Sequence, residues 1–346
     1  MEAVLTLLPP QAIHHVSESS AIAAVRRAGN YLAAVLGLDV TVTGKVALVI
    51  TEVATNILKH AGIGDILLRG LAAGDARGIE ILAIDKGPGF DNIEQAMRDG
   101  VSSAGSYGVG MGAMQRLADE FDLHADTTNG SALRMAVWGS PQPPHRSEWT
   151  VGAVCLPLPS EELCGDAWSC AGDDGQLLLM MADGLGHGPE AAHASNTAVA
   201  LVQPANTFAP GAMLQLAHGA LRGTRGAAVA VACLDSGANE LRFAGIGNIS
   251  VSLHGGDKAR HLVSHNGIVG SNMRKVQEFV MPLTDDATLI MHSDGIGTRW
   301  DLEHYPGLSQ RHPALIAAVL YRDHVRGRDD AGIVIAQRQR QLGGRP

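Results

Sequence analysis

Aromatic residues make up only 4% of the 346 positions, so any core in this chain must be filled mainly by Ala, Val, Leu and Ile. Cysteine is equally sparse. Cys155, Cys164, Cys170 and Cys233 show no CxxC spacing, which argues against a zinc ribbon and fits reduced thiols in a cytoplasmic protein. Basic residues are outnumbered, 26 Lys and Arg against 35 Asp and Glu, and the net charge of −9 gives no support to nucleic-acid binding. Only 18% of residues are charged while 46% are hydrophobic, a globular and not a disordered composition. No apolar run is expected to supply the roughly 20 residues of a membrane span. The apolar start, Met1–Pro10, lacks the basic region of a signal peptide.

The length has room for two domains. Three prolines within Pro141-Gln142-Pro143-Pro144 can continue neither helix nor strand, so residues 139–148 read as a linker. Domains are expected at 1–138 and 149–337, with a basic, Gly-rich tail over 338–346. The fold class is α+β. In the first half, helices over Ser20–Leu36, Val40–His60 and Gly112–Phe121 accompany strands at Ile66–Leu71, Ile79–Asp85, Leu123–Thr128 and Ala132–Trp138, which predicts a two-layer α/β sandwich. Thr43 is the expected N-cap of the second helix. In the second half, strands at Val151–Leu156, Leu177–Ala182, Ala227–Leu234, Leu241–Gly245, Ser250–Leu253, Ala287–Met291 and Gly332–Ala336 predict a β-sandwich. Helices at Glu190–Val202, Ala212–Leu221 and Pro313–Tyr321 flank it.

Four acidic motifs punctuate the second half: Gly165-Asp166, Asp183-Gly184-Leu185-Gly186-His187-Gly188, Ser293-Asp294-Gly295 and Arg328-Asp329-Asp330. An Asp-Gly pair is ordinarily a turn. Here the acids abut apolar runs, where a carboxylate is costly to desolvate unless it is paired or bound to a cation. Several strand-end carboxylates converging would give an all-oxygen site suited to Mg²⁺ or Mn²⁺. Two such ions can clamp a phosphoryl group and activate water.

These motifs, with Cys164 and Phe243-Ala244-Gly245-Ile246-Gly247-Asn248, resemble the SpoIIE-like branch of the 2C-type metal-dependent protein phosphatases, nearest in pattern to its RsbX-like members. The resemblance spans Val151–Gln337. It implies that Asp183 bridges two Mn²⁺ or Mg²⁺ ions with the Gly184 carbonyl on one, and that Asp294 and Asp329 hold the other. Asp166 binds or orients the metal waters. Asp330 is the alternative to Asp329, since adjacent acids leave the register open. Leu185 stands where eukaryotic members carry a His, and His187 is either a substitute acid or a structural helix-start residue.

The first half has its own constellation. Glu52 and Asn56 are four apart and share a helix face. Asn56 offers a neutral oxygen to Mg²⁺, and Glu52 a carboxylate that could activate a nucleophile. Asp85 ends an apolar strand before Gly87-Pro88-Gly89, and Gly108-Val109-Gly110-Met111-Gly112 opens a helix whose free N–H groups suit phosphate. In this order they resemble the ATP-binding domain shared by gyrase, Hsp90, histidine kinases and MutL, especially the RsbT- and RsbW-type switch kinases, over Glu18–Trp138. The resemblance implies ATP with Mg²⁺ on Asn56, Glu52 as general base, and Asp85 reading adenine. Gly87, Gly89, Gly108, Gly110 and Gly112 would shape the lid and phosphate site, with Lys59 or His60 approaching the phosphates. Gly130-Ser131 replaces the family's Gly-Thr and keeps a hydroxyl.

Together the two resemblances imply a bifunctional partner-switching enzyme that phosphorylates and dephosphorylates a STAS-type antagonist or scaffold protein. A sigma factor is a possible partner and a homodimer a possible assembly; no nucleic acid or membrane is expected. The alternative is a phosphatase whose first half is an ATP-binding docking or sequestering module.

Overall fold

Near-continuous apolar runs bury both faces of the central strands in both halves. The structure is a computed structural model that describes residues 8–89, 110–140, 148–172, 175–256 and 258–338. It divides into two compact units, one of Met1–His145 with Tyr305–Asp323 and one of Arg146–His304 with His324–Pro346.

In the first unit, β1 (Ala12–Val16), β2 (Gly64–Ala73), β3 (Ala76–Asp85), β4 (Glu120–Asp126) and β5 (Gly130–Trp138) form an antiparallel sheet in the order β1-β2-β3-β5-β4. Helices α1 (Ser19–Val35), α2 (Val40–Asn56) and α3 (Gly110–Leu117) accompany it. Ile79, Ile81 and Ala83 of β3 and Leu133, Met135 and Val137 of β5 share a core with Val46, Val49, Ile50 and Val53 of α2. The two-layer sandwich expected from sequence is present. Three boundaries differ. Asp39, not Thr43, caps α2: its carboxylate accepts from the Thr41 and Val42 amides at 2.7 and 2.9 Å. α2 ends at Asn56 in a π-helical turn, Ile57–Ala61, a device frequent at functional sites. α3 stops at Leu117, because Phe121 pairs with Met135 in the β4–β5 ladder. Contrary to the sequence expectation, the helical run Val40–Ala61 is long and apolar enough to cross a membrane by length and composition; in the structure its Val42, Val46, Val49, Ile50 and Val53 are core residues.

The even positions of β3 and β5 are also buried and include charges. Glu80, 1% exposed, accepts from Arg69 at 2.6 Å and from Arg134 at 2.7 Å. Arg134 also pairs with Glu120 at 2.9 Å. Asp122, opposite Arg134, receives the His312 amide at 2.7 Å. That bond ties the start of α6 (Pro313–His324) to this unit. Residues 305–323 therefore depart from the sequence boundary, which had placed them in the second domain. Residues Ala314–Leu320 of α6 are fully buried, and a helix apolar all round gives no sign in sequence of what it packs on.

The second unit is a sandwich of two five-stranded sheets among the described residues. One has the order β13 (Phe279–Pro282), β10 (Glu240–Ile246), β9 (Ala227–Asp235), β8 (Gln176–Gly184), β7 (Asp166–Gly172). The other runs β12 (Arg260–Leu262), β11 (Ser250–His254), β14 (Thr288–His292), β15 (Ala331–Arg338), β6 (Trp149–Leu156). Leu177, Leu179 and Met181 face inward with Phe243, Leu289, Met291 and Val334. The alternate positions Leu178, Met180 and Ala182 pack on α4 (Pro189–Val199) and α5 (Pro210–Ala220) through Ala194, Ala198, Met213 and Leu214.

Burial opposes ionisation of Glu80, but Arg69 and Arg134 outweigh it and bring its carboxyl down to about 2. A depressed folded-state value means that the stabilisation is present above the ordinary carboxylate pKa and is lost as pH falls toward about 2. Glu80→Ala is expected to cost about 3 kcal/mol at pH 7, because it removes the buried carboxylate that the Arg69 and Arg134 guanidinium groups share. Urea denaturation at pH 7 and pH 3 should show the gap between wild type and variant narrowing at the lower pH.

Candidate functional sites

The nucleotide-type site lies at one end of the first unit's sheet. Val53, Asn56 and Ile57 of α2 and its π-turn, His60, Asp85, Pro88, Gly89, Met111, Ser131 and Leu133 line one pocket. Asp85, 8% exposed, accepts from the Gly87 amide at 2.8 Å and from the Ser131 hydroxyl at 2.6 Å. Its carboxylate is thus held in place and retains lone pairs for a further donor such as an exocyclic amine. The Ser131 hydroxyl, which the sequence marked only as a conservative change, is the group that fixes Asp85. Gly130 makes this possible: at φ +94°, an added Cβ would lie 2.2 Å from the Asp85 carbonyl oxygen. Gly89, also at positive φ, closes similarly on the Asp126 carbonyl oxygen.

Asn56, His60, Asp85 and Gly89 are therefore brought together, as expected. Glu52 is half-buried one turn before Asn56 on α2, and neither Glu52 nor Lys59 lines the pocket. Gly87 contributes its amide to Asp85. Gly110 opens α3 with Gly112 in its first turn. Gly108 lies outside the described residues.

In the second unit the acids gather at one end of the sandwich. Asp166, first residue of β7, is the ladder partner of Asp183 near the end of β8. The Ser293 hydroxyl donates to Asp166 at 2.5 Å, and the Gly332 amide donates to the Ser293 hydroxyl oxygen at 3.0 Å. Asn248 donates to Asp294 at 3.0 Å. Burial, reinforced by Asp294, Asp329 and Asp330, pushes the Asp183 carboxyl up to about 7. Burial and the neighbouring Asp183 also raise Asp166. Among the described residues no three such groups already close around one point; the acids are near enough to repel one another without forming a finished cage. An all-oxygen, mutually repelling and desolvated set fits a hard divalent cation.

Asp329 and Asp330 have separate environments. Asp330 is 3% exposed, and its Oδ1 accepts from the Leu158 amide, in the loop before β7, at 2.9 Å. Asp329 is exposed. The glycines after the acids serve close approach, not hairpin turns. A Cβ on Gly184 would sit 2.1 Å from the Ala191 carbonyl oxygen of α4, and one on Gly295 would sit 1.9 Å from that of Asp330. Gly184 also donates to the Gly165 carbonyl at 2.9 Å. His187 precedes α4 and pairs with Glu161 at 2.6 Å, a partner that nothing in sequence indicates. Sequence reasoning also left the roles of Ser293 and Asn248 unassigned; their positions beside the quoted acidic and Gly-Asn motifs were the available signal.

Residues 17–137 match the histidine kinase-like ATPase domain family. Residues 173–339 match the family of stage II sporulation protein E, SpoIIE. The serine/threonine-protein kinase RsbT of Bacillus subtilis is 34% identical over 117 residues, 34% of this chain and 88% of that one. The phosphoserine phosphatase RsbX of the same organism is 22% identical over 137 residues, 39% of this chain and 69% of its own. A solved structure of RsbX in complex with magnesium covers 57% of this chain and 99% of its own at TM-score 0.51 and 19% identity, which shows a shared fold. A chain from a structure described as "The bacterial stressosome: a modular system that has been adapted to control secondary messenger signaling" has TM-score 0.51 and 28% identity, covering 54% of this chain and 98% of its own. With an ATPase fold in its first unit and an acid-tipped sandwich in its second, the chain belongs to the RsbT-like branch of the histidine kinase-like ATPase family, joined to a SpoIIE-type serine/threonine phosphatase domain.

Proposed function

We propose that this chain is a bifunctional partner-switching regulator that phosphorylates and dephosphorylates serine or threonine on a STAS-type antagonist or stressosome-like scaffold protein. The observation that supports this reading is that Asn56 and Asp85 line one pocket of the first unit, while Asp166 and Asp183 are ladder partners among mutually repelling acids of the second. In the first unit Asn56 would hold Mg²⁺ on the ATP phosphates, and Asp85 would accept from the adenine amine. Glu52 would take the proton of the substrate hydroxyl, with Gly108, Gly110 and Gly112 at the phosphates. In the second unit Asp183, the Gly184 carbonyl, Asp294 and Asp329 would hold two Mn²⁺ or Mg²⁺ ions, with Asp166 orienting their waters. When bound, such ions supply Lewis acidity and an activated water. Asp330 then acts as a structural anchor of the loop before β7. The names of the relatives support this assignment: RsbT is a serine/threonine kinase, RsbX a phosphoserine phosphatase, and a further neighbour comes from a stressosome. A cytoplasmic location, a sigma factor as downstream target and a homodimer complete the proposal.

Asp183→Asn is expected to abolish phosphatase turnover while leaving nucleotide affinity unchanged. The direct test incubates purified protein with γ-labelled ATP, Mg²⁺ and a STAS-domain protein from the same genome. Label that accumulates on the STAS protein only in the Asp183→Asn variant establishes both activities on one substrate. No label in either protein would reduce the first unit to a docking module toward that partner. Glu52→Ala should keep nucleotide binding and lose about 10²–10⁴-fold in phosphotransfer, the usual contribution of a general base; unchanged transfer would remove Glu52 from that role. Asp329→Asn should weaken Mn²⁺ binding in calorimetry at unchanged thermal stability, whereas Asp330→Asn should lower the melting temperature.

A further inference from the structure

Arg225 is a cation set beside the loop that follows Asp183. Strand β8 carries Asp183 and ends at Gly184, which pairs with Ala227 at the start of β9. The pairing runs on past both strand ends, because the Leu185 amide donates to the Gly226 carbonyl at 3.0 Å. Arg225 therefore lies across from Gly186. A Cβ on Gly186 would come within 3.1 Å of the Arg225 Nη1, so the bare glycine, at φ +84°, admits the guanidinium to that loop.

The backbone under Arg225 is fixed, while its head group is not. The Thr224 hydroxyl donates to the Leu221 carbonyl at 2.8 Å and accepts from the Gly226 amide at 3.0 Å. Gly226 is at φ +81°, and a Cβ there would lie 2.7 Å from the Val269 carbonyl oxygen. The guanidinium, by contrast, belongs to a side chain 48% exposed, and it pairs with Glu190, 69% exposed, in the first turn of α4. An ion pair so exposed adds little stability. Glu190 also keeps a favourable place near a helix N-terminus without it. The pair is therefore easily exchanged for a stronger partner.

A phosphoryl dianion is such a partner. It carries more charge than the Glu190 carboxylate, and a guanidinium can hold two of its oxygens through parallel N–H donors. The acids that crowd Asp183 attract cations but repel a phosphoryl group, and a fixed positive charge on the adjoining loop offsets that repulsion. Gly186 is three residues from Asp183, at most about 10 Å of extended chain, a distance that an arginine side chain and a phosphoryl group together span.

We propose that Arg225 binds the phosphoryl group of the phosphatase substrate, and that Glu190 competes with the substrate for the guanidinium. The inference rests on the phosphatase reading of the acid site.

The test uses the full chain with Mn²⁺, para-nitrophenyl phosphate as substrate and inorganic phosphate as competitive inhibitor. Arg225→Gln should raise both KM and Ki about tenfold, the loss of a charge-assisted hydrogen bond, at unchanged Mn²⁺ affinity in calorimetry. Arg225→Lys should recover part of that loss, since lysine keeps the charge without the fork. Glu190→Gln should move the other way and lower both constants about threefold, the scale of an exposed ion pair. If the pair only braces the loop, removing either partner shifts KM in the same direction, which overturns the proposal. An active Arg225→Gln enzyme with unchanged KM and Ki, or one that has lost Mn²⁺ affinity, also overturns it. Should Arg225→Gln not fold, Glu190→Gln decides alone, and an unchanged or raised KM overturns the proposal. Absence of phosphatase activity in wild type would overturn the phosphatase reading and the inference with it.

Discussion

Carboxylates crowded at the dry end of a sandwich cannot all remain charged without a counter-ion, and the phosphatase unit is organised around that constraint. Asp166 and Asp183 face each other across a ladder pair. Burial, with the added charge of Asp294, Asp329 and Asp330, lifts Asp183 to about 7. The apolar strands that deliver them supply the low-polarity surroundings that make the repulsion strong. Hydrogen bonds from Ser293, Asn248 and the Leu158 amide then hold the acids in place. These bonds orient the charges without neutralising them, which leaves a demand that a divalent cation meets.

The nucleotide unit answers the same physical problem with hydrogen bonds. Asp85 is buried as well, but the Gly87 amide and the Ser131 hydroxyl share its charge. It can remain a directional acceptor with no ion beside it. Other buried positions of the same sheet carry the Glu80, Arg69 and Arg134 network, where charge is balanced internally. That balance leaves the network no unmet charge to offer a ligand. The difference between a structural and a functional acid here is whether its charge is fully answered by the chain.

Much of this was legible in sequence because the chemistry is carried by short motifs at the ends of strongly alternating or apolar strands. The sandwich faces follow from Leu177–Ala182 and Ala227–Leu234, and the acids follow from their position at strand ends. Four strands were missed, β1, β7, β12 and β13, and the last three have physical explanations. β7 begins with a functional acid and runs through Ser169 and Cys170, so it lacks an apolar pattern. β12 and β13 have three and four residues, too short for periodicity to show. The different surroundings of Asp329 and Asp330 depend in part on the Leu158 amide, 172 residues from Asp330. Helix α6 is apolar throughout Ala314–Leu320, so the membership of that stretch in the first unit could be seen only in three dimensions.

Joining a kinase-like and a phosphatase domain in one chain fixes their ratio at one to one. In Bacillus subtilis the corresponding relatives are separate proteins, and the balance between separate enzymes can be set by their relative amounts. Under the function proposed above, the phosphorylation state of a substrate shared by the two units would depend on the ratio of two turnover rates, and tethering would raise the encounter frequency of both. Unregulated, the pair would consume ATP around a constant steady state. A signal must therefore alter one turnover relative to the other.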